Sequence, residues 1–327
     1  FGTDPDADRM GAVVKVPENQ QKYFGKYRLL SANDAWTLLL WYRLMRKQQL
    51  GQLQNPDNHA VVFSHVTTDA IEAVAELFGV KSIGKMMDMT ETEERGDYLN
   101  GRRTWVGFTY LGEIFEELEA QGKIAEIGAE ESNGVSLGGH VKDKDGTLAA
   151  ILVAEIAAFA KANETTLFEL LDEIYKRIGH YATANKPLPR VGSFEGAAGA
   201  SEKIFIIKKT EDWFVQANAR AGTDNPLMVA GKKVIGAVQF KSGRVDDKHY
   251  KGVPDEGVRL FFEDLTMSEG APLTESKNYI TIRMSGTAQA LRFYTQIYSK
   301  VEGVGEEIAV QKARKFFEAE WVALEAQ

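Results

Sequence analysis

Cysteine is absent from all 327 residues. The chain therefore has no disulfide, no thiolate nucleophile and no zinc-thiolate site. Long apolar runs are also missing. No uninterrupted stretch approaches the about 20 residues that a membrane-spanning helix requires, and even Leu148 to Ala162 is broken by Glu155 and Lys161. Nor is positive charge concentrated anywhere: 39 Lys and Arg are scattered among 47 Asp and Glu, for a formal net charge of -8. That balance argues against a nucleic-acid partner, because phosphate backbones need clustered cations. Internal repeats and low-complexity tracts do not occur. What remains is an ordinary enzyme-like composition, 44% hydrophobic and 26% charged, enough for about two or three domains. It fits a cytoplasmic protein with no membrane or nucleic-acid partner. The sequence opens without an initiator Met or a signal peptide, so a piece of a longer protein is expected.

The amino end carries the densest chemistry. Asp4, Asp6 and Asp8 stand at alternate positions, so in an extended loop three carboxylates can converge on one hard divalent cation. Close carboxylates repel one another unless a cation sits among them, and an all-oxygen set suits magnesium. A calcium loop of the EF-hand type fails, because counting from Asp4 its sixth and twelfth positions hold Arg9 and Lys15 instead of Gly and Glu. A solvated acidic turn remains the alternative.

Along the chain, Gly11 to Val16 and Lys26 to Leu30 read as short strands, followed by a helix capped by Ser31 or Asn33 and stopped near Gly51. The polar run from Gly51 to His59 reads as a linker. Then strand and helix alternate: Ala60 to Val66 as a buried strand, Asp69 to Phe78 as a helix, a helix from Gly112 to Ala120, a strand near Ile124 to Ile127, and a helix from Thr147 to Ala162. Alternation of this kind implies an α/β layer architecture. A second boundary is expected within Asn185 to Ala200, around Pro187, Pro189 and Gly196-Ala-Ala-Gly199. Beyond it Lys203 to Lys208, Val234 to Phe240, Gly257 to Glu263 and Asn278 to Met284 read as strands, Arg292 to Tyr298 as helical, and Glu306 onward as an amphipathic helix. This suggests a small α+β domain.

Two further segments offer binding groups. In Gly128-Ala-Glu-Glu-Ser-Asn-Gly134, Glu130 and Ser132 present acceptors and a donor for vicinal sugar hydroxyls. In His140-Val-Lys-Asp-Lys-Asp-Gly146, Lys142, Lys144 and a helix N-terminus offer positive potential for a phosphate, and a lysine there could move a proton if desolvation lowered its pKa. An exposed polar loop in which Asp145 only caps the helix is the alternative. Near the other end, Arg283, Ser285 and Thr287 share one parity, Gly286 lets backbone approach closely, and Arg292 follows. These groups read either as a phosphate cradle or as a tight turn with a surface Arg.

Taken in order, Asp4-Pro-Asp-Ala-Asp-Arg9, Thr104-Trp-Val-Gly-Phe-Thr-Tyr-Leu-Gly112, Glu130-Glu-Ser132, Lys142-Asp-Lys-Asp-Gly146 and Arg283-Met-Ser-Gly-Thr287 resemble the α-D-phosphohexomutases, the phosphoglucomutase and phosphomannomutase superfamily. The resemblance implies mixed-sheet α/β domains, part of a second domain (1–58) and a third (59–190), followed by a small α+β fourth domain (200–327). It implies that Asp4, Asp6 and Asp8 bind Mg2+ and that Arg9 supports a phosphoryl group. Glu130, Ser132 and His140 would then meet the sugar. Lys142 and Lys144 would line the centre of the cleft, Lys144 for proton transfer or transition-state charge. Arg283, Ser285, Gly286, Thr287 and Arg292 would anchor the non-reacting phosphate. It further implies a hexose 1-phosphate/6-phosphate mutase whose phosphoserine comes from an upstream segment, since no Ser-His-Asn-Pro type of loop is present. A sugar-phosphate-binding protein without catalysis is the alternative.

Overall fold

The computed structural model describes residues 1–84, 106–188, 195–240, 257–268, 270–271, 273–284 and 290–300. Stretch 85–105, the expected helix from Glu306, and Ser285, Gly286 and Thr287 lie outside these residues. In chain order the elements are β1 (Gly2–Thr3), β2 (Met10–Gly11), β3 (Val13–Lys15), α1 (Gln21–Phe24), β4 (Tyr27–Leu29), α2 (Ala32–Gln49), β5 (His59–Phe63), α3 (Ala70–Leu77), β6 (Lys81–Ile83), α4 (Phe108–Ala120), β7 (Ile124–Ala129), β8 (Val135–Ser136), α5 (Gly146–Ala162) and α6 (Leu167–Ile178). There follow β9 (His180–Leu188), α7 (Gly196–Arg220), β10 (Met228–Val229), β11 (Lys232–Phe240), β12 (Gly257–Phe262), β13 (Tyr279–Met284) and β14 (Leu291–Ser299). The chain divides into two compact units that part after Tyr181.

The first unit is built on a mixed sheet of order β6-β5-β7-β8. β5 runs parallel to β6 and β7, and β8 pairs antiparallel with β7. Every residue of β5 is buried, as expected for a strand covered on both faces. Ala60 and Val62 meet Phe108, Leu111, Ile114, Phe115 and Leu118 of α4, while Val61 and Phe63, of opposite parity, point to the other face. Gly128 lets α4 come this close, because a Cβ there would stand 2.3 Å from Cζ of Phe115.

α2 begins where the Ser31 hydroxyl accepts the Asp34 N–H, and it packs against α3, α5 and α6. Trp36, Leu39, Leu40 and Leu44 are completely buried or nearly so; each such side chain contributes roughly 1.5–3 kcal/mol through removal from water. Beneath α2, the carboxylate of Glu126 in β7 is fully buried and accepts from Arg43 (2.6 Å), Lys47 (2.5 Å) and the His59 ring (2.6 Å). Burial would raise its pKa, but these partners outweigh burial and hold it below the ordinary value. The stretch after α2, read from sequence as a linker, buries Leu53 and forms a 3-10 turn at Pro56–Asn58. Residues on both sides of it belong to the same unit.

The second unit is built on a sheet of order β10-β11-β12-β13-β14-β9, antiparallel from β10 to β14, with α7 on one face. Two expectations are corrected here. Lys203 to Lys208, read as a strand for its Ile-Phe-Ile-Ile run, lies inside α7. Ile206, Trp213, Phe214 and Ala217 recur at helical spacing and pack on Val258, Leu260, Ile280 and Ile282, whereas Ile204 and Phe205 are exposed. The segment Arg292 to Tyr298, read as helical, is strand β14. Its aromatic and β-branched residues favour a pleated surface, and it pairs with β13 so that Arg283 stands opposite Arg292.

Candidate functional site

β1 and β2 form a small antiparallel pair, Gly2 opposite Gly11 and Thr3 opposite Met10, and the acidic loop closes between them. The loop is not extended as the sequence suggested. Ala7 adopts φ 57°, and its N–H donates to the Asp4 carbonyl at 3.0 Å. A left-handed alanine costs about 1–2 kcal/mol, and the reversal turns Asp4, Asp6 and Asp8 toward one point, with one oxygen of each within 4.8 Å of the others. Oxygen Oδ1 of Asp8 is buried without a hydrogen-bond partner, with Arg9 Nε 3.5 Å away. An orphaned carboxylate oxygen beside two more carboxylates, in a set without nitrogen or sulfur, fits Mg2+.

This loop is clamped to two others. The Met10 N–H donates to the Asn133 carbonyl (3.2 Å), Arg9 bridges Gly134, and the Gly146 N–H donates to the Ala7 carbonyl (3.0 Å). Gly146 is glycine for a steric reason: a Cβ there would lie 2.6 Å from the Arg9 carbonyl oxygen and 2.9 Å from that of Ala7. Asp145, at the N-cap of α5, accepts the Leu148 N–H at 2.8 Å.

Five sequence-predicted residues thus come together around Asp8. Lys144 Nζ lies 2.8 Å from Asp8 Oδ2. Burial works against the charged form of Asp8, yet the hydrogen bond and charge of Lys144 and the charge of Arg9 prevail, so its pKa is lowered. Burial would also lower the pKa of Lys144, but Asp8, Glu130 and Asp143 raise it. Desolvation alone suggested a proton-moving lysine; the carboxylates around it keep it cationic instead. Glu130 is buried, its Oε1 accepting the Gly107 N–H at 3.0 Å and its Oε2 facing the Ser132 hydroxyl at 3.5 Å. Burial raises its pKa against the opposing pull of Lys144, the Gly107 N–H and Arg9.

Other expected residues lie elsewhere. Lys142 reaches Glu119 (2.8 Å) and Glu116 (3.6 Å) on α4, an exposed surface cluster. The His140 ring pairs with Asp145 at 2.8 Å, so it supports the helix cap. In the second unit, Arg283 Nη1 donates to the Tyr294 hydroxyl at 3.4 Å and shares a cross-strand position with Arg292. Like charges directly opposite one another destabilise a sheet unless an anion joins them. Sequence reasoning missed Trp36, whose buried indole N–H donates to the Glu130 carbonyl at 2.9 Å, and Gly134, where a Cβ would stand 2.3 Å from Lys144 Cδ. Trp36 gave no signal beyond its place in an apolar stripe.

The fold and this cluster define an α/β protein with a three-carboxylate loop set beside a buried carboxyl and a lysine ammonium. Residues 96–178 match the phosphoglucomutase/phosphomannomutase alpha/beta/alpha domain III. A phosphoglucomutase of Staphylococcus haemolyticus is 24% identical over 298 residues, covering 91% of this chain and 44% of that protein. A phosphopentomutase of Mus musculus is 25% identical over 300 residues, covering 91% of this chain and 41% of its own length. The chain therefore spans less than half the length of these relatives. The solved open form of pp63/parafusin, a phosphoglucomutase from Paramecium, resembles it in fold with a TM-score of 0.52 at 18% identity, covering 98% of this chain and 45% of that one. Over residues 96–178, and at 24–25% identity over most of its length, the chain is similar to members of the α-D-phosphohexomutase superfamily.

Proposed function

We propose that this chain is the carboxyl-terminal part of a Mg2+-dependent phosphohexomutase acting between hexose 1-phosphate and 6-phosphate, with the phosphoserine supplied by an upstream segment. The observation that carries the reading is the junction of Asp4, Asp6, Asp8 and Arg9 with Glu130 and Lys144 on one site. Asp4, Asp6 and Asp8 would hold Mg2+, which supplies charge neutralisation at phosphoryl oxygens.

The chain's own residues do the rest. Lys144 and Arg9 hold positive charge beside the transferring group, where fixed charges act without reorganisation. Glu130, braced by Trp36 and Gly107, accepts a sugar hydroxyl, and Ser132 offers a second contact. In the second unit, Arg283 and Arg292, brought opposite one another by strand pairing, would hold a phosphate, the role that the resemblance also assigns to Ser285, Gly286 and Thr287. Charge-assisted hydrogen bonds of this kind contribute ~1.5–3 kcal/mol each. The site is expected to operate in the cytoplasm.

The test is Mg2+-dependent isomerisation of glucose 1-phosphate by the protein with its upstream segment, run beside ribose 1-phosphate because relatives include both phosphoglucomutases and phosphopentomutases. Turnover of glucose 1-phosphate that falls at least tenfold in Arg283→Met supports the reading. Binding of either sugar phosphate without turnover replaces it with a non-catalytic sugar-phosphate-binding protein, and neither binding nor turnover removes both.

A further inference from the structure

Lys144 rests on the very carboxylate that a divalent cation would need. Its Nζ lies 2.8 Å from Asp8 Oδ2, and its side chain is only 17% exposed. The stem runs across bare backbone at Gly134, where a Cβ would stand 2.3 Å from Lys144 Cδ, 2.9 Å from Cγ and 3.6 Å from Glu130 Oε2. The aliphatic stem of Lys144 and the carboxyl of Glu130 therefore flank the same spot. Two bonds separate Cδ from Nζ, so rotation about the end of the side chain carries the ammonium from Asp8 toward Glu130 without moving backbone.

Charge decides which way it points. Without a metal, the carboxylates of Asp4, Asp6 and Asp8 face the guanidinium of Arg9 and the ammonium of Lys144, and the ammonium occupies the more buried part of the cluster. A divalent cation among those carboxylates would stand a few ångströms from the ammonium, a strong repulsion in a partly desolvated place. Besides Asp8, Glu130 and Asp143 act on the ammonium, and of these Glu130 is the one that shares the spot at Gly134 with the lysine stem.

We propose that Lys144 is a tethered competitor for the metal, its ammonium neutralising Asp8 until a divalent cation takes that carboxylate and turns the ammonium to Glu130 on the sugar loop. The inference rests on the reading of Asp4, Asp6 and Asp8 as a Mg2+ site. It makes metal affinity moderate by construction, because each binding event breaks an existing ion pair. It also delivers a positive charge to the sugar loop only when metal is present, which couples the two halves of the site energetically.

Titration calorimetry with Mg2+ alone, on this chain and on Lys144→Met and Lys144→Arg, tests it. Lys144→Met is expected to bind Mg2+ on the order of tenfold more tightly, whereas Lys144→Arg, which keeps a competing cation, stays near the parent chain. Should Lys144→Met fail to fold, the parent chain decides by itself. The slowly exchanging 15N signal of the Lys144 ammonium is expected to shift along with Mg2+ occupancy. Equal or weaker Mg2+ binding by a folded Lys144→Met, or an ammonium signal unmoved while Mg2+ binds, overturns the competitor role and leaves the metal site standing. No Mg2+ binding by any of the three proteins overturns both.

Discussion

Gly146 shows how much one missing methyl group decides. A Cβ at that position meets backbone, the carbonyls of Arg9 and Ala7, so the acidic loop itself would have to move. A Cβ at Gly134 clashes with the stem of Lys144, which can swing aside, and meets Glu130 Oε2 at an ordinary contact distance of 3.6 Å. Gly146→Ala is therefore expected to lose about 1–3 kcal/mol of stability and most Mg2+ affinity. Gly134→Ala should keep its stability and lose the Lys144–Asp8 pair. Urea denaturation alongside Mg2+ calorimetry distinguishes the two. At this scale the sequence was legible wherever chemistry sits in a short string: Asp4, Asp6, Asp8, Arg9, Glu130 and Lys144 are all found near one another. It was not legible for Trp36, because a helix indole reaching a loop carbonyl more than ninety positions away is set by tertiary packing alone. Lys142 misled because a motif gives residue order without direction, and two positions from Lys144 its ammonium turns to Glu119.

Among the elements, α5 carries the site on its first turn. Asp145 accepts the Leu148 N–H, which lowers its pKa below 3.8; burial opposes this, and the paired His140 reinforces it. A carboxylate depressed on folding stabilises the folded state fully above its unfolded pKa and loses that contribution as pH falls through its folded pKa. Asp145→Ala is accordingly expected to cost about 1 kcal/mol near neutral pH, with the gap to the parent chain closing as pH drops below 3.8, as read by urea midpoints at both conditions. The element-scale reading succeeded where caps and periodicity agree, as at Ser31 before α2 and Asp145 before α5. It passed over α6, although Thr166 and Glu169 form a complete capping box there. It failed at Lys203 to Lys208 because four consecutive apolar residues look like a strand locally; the deciding pattern, Ile206 with Trp213, Phe214 and Ala217, extends over three turns.

At the scale of the whole molecule, the acidic loop and the arginine pair belong to different compact units, each with its own core. Differential scanning calorimetry is expected to resolve two transitions. Mg2+ should raise only the one belonging to the unit that holds Asp4, Asp6 and Asp8, since a ligand stabilises the structure that binds it. Inorganic phosphate should act on the other through Arg283 and Arg292. A single transition responding to both ligands would show that the units melt as one. The boundary after Tyr181 was visible in the sequence only approximately, as the glycine- and proline-rich stretch that follows it, because turn residues mark a break without saying which strand joins which sheet.

The clasp between residue 9 and residue 134, closed again by Ala7 and Gly146, has a consequence in time. Contacts between such distant parts of a chain carry a high loop-closure cost and tend to form late. The acidic loop is therefore expected to assemble after the folding barrier has been crossed. Mg2+ should leave the refolding rate nearly untouched and slow the unfolding rate in stopped-flow measurements, so that the ion acts as a latch on a finished structure and not as a seed for it.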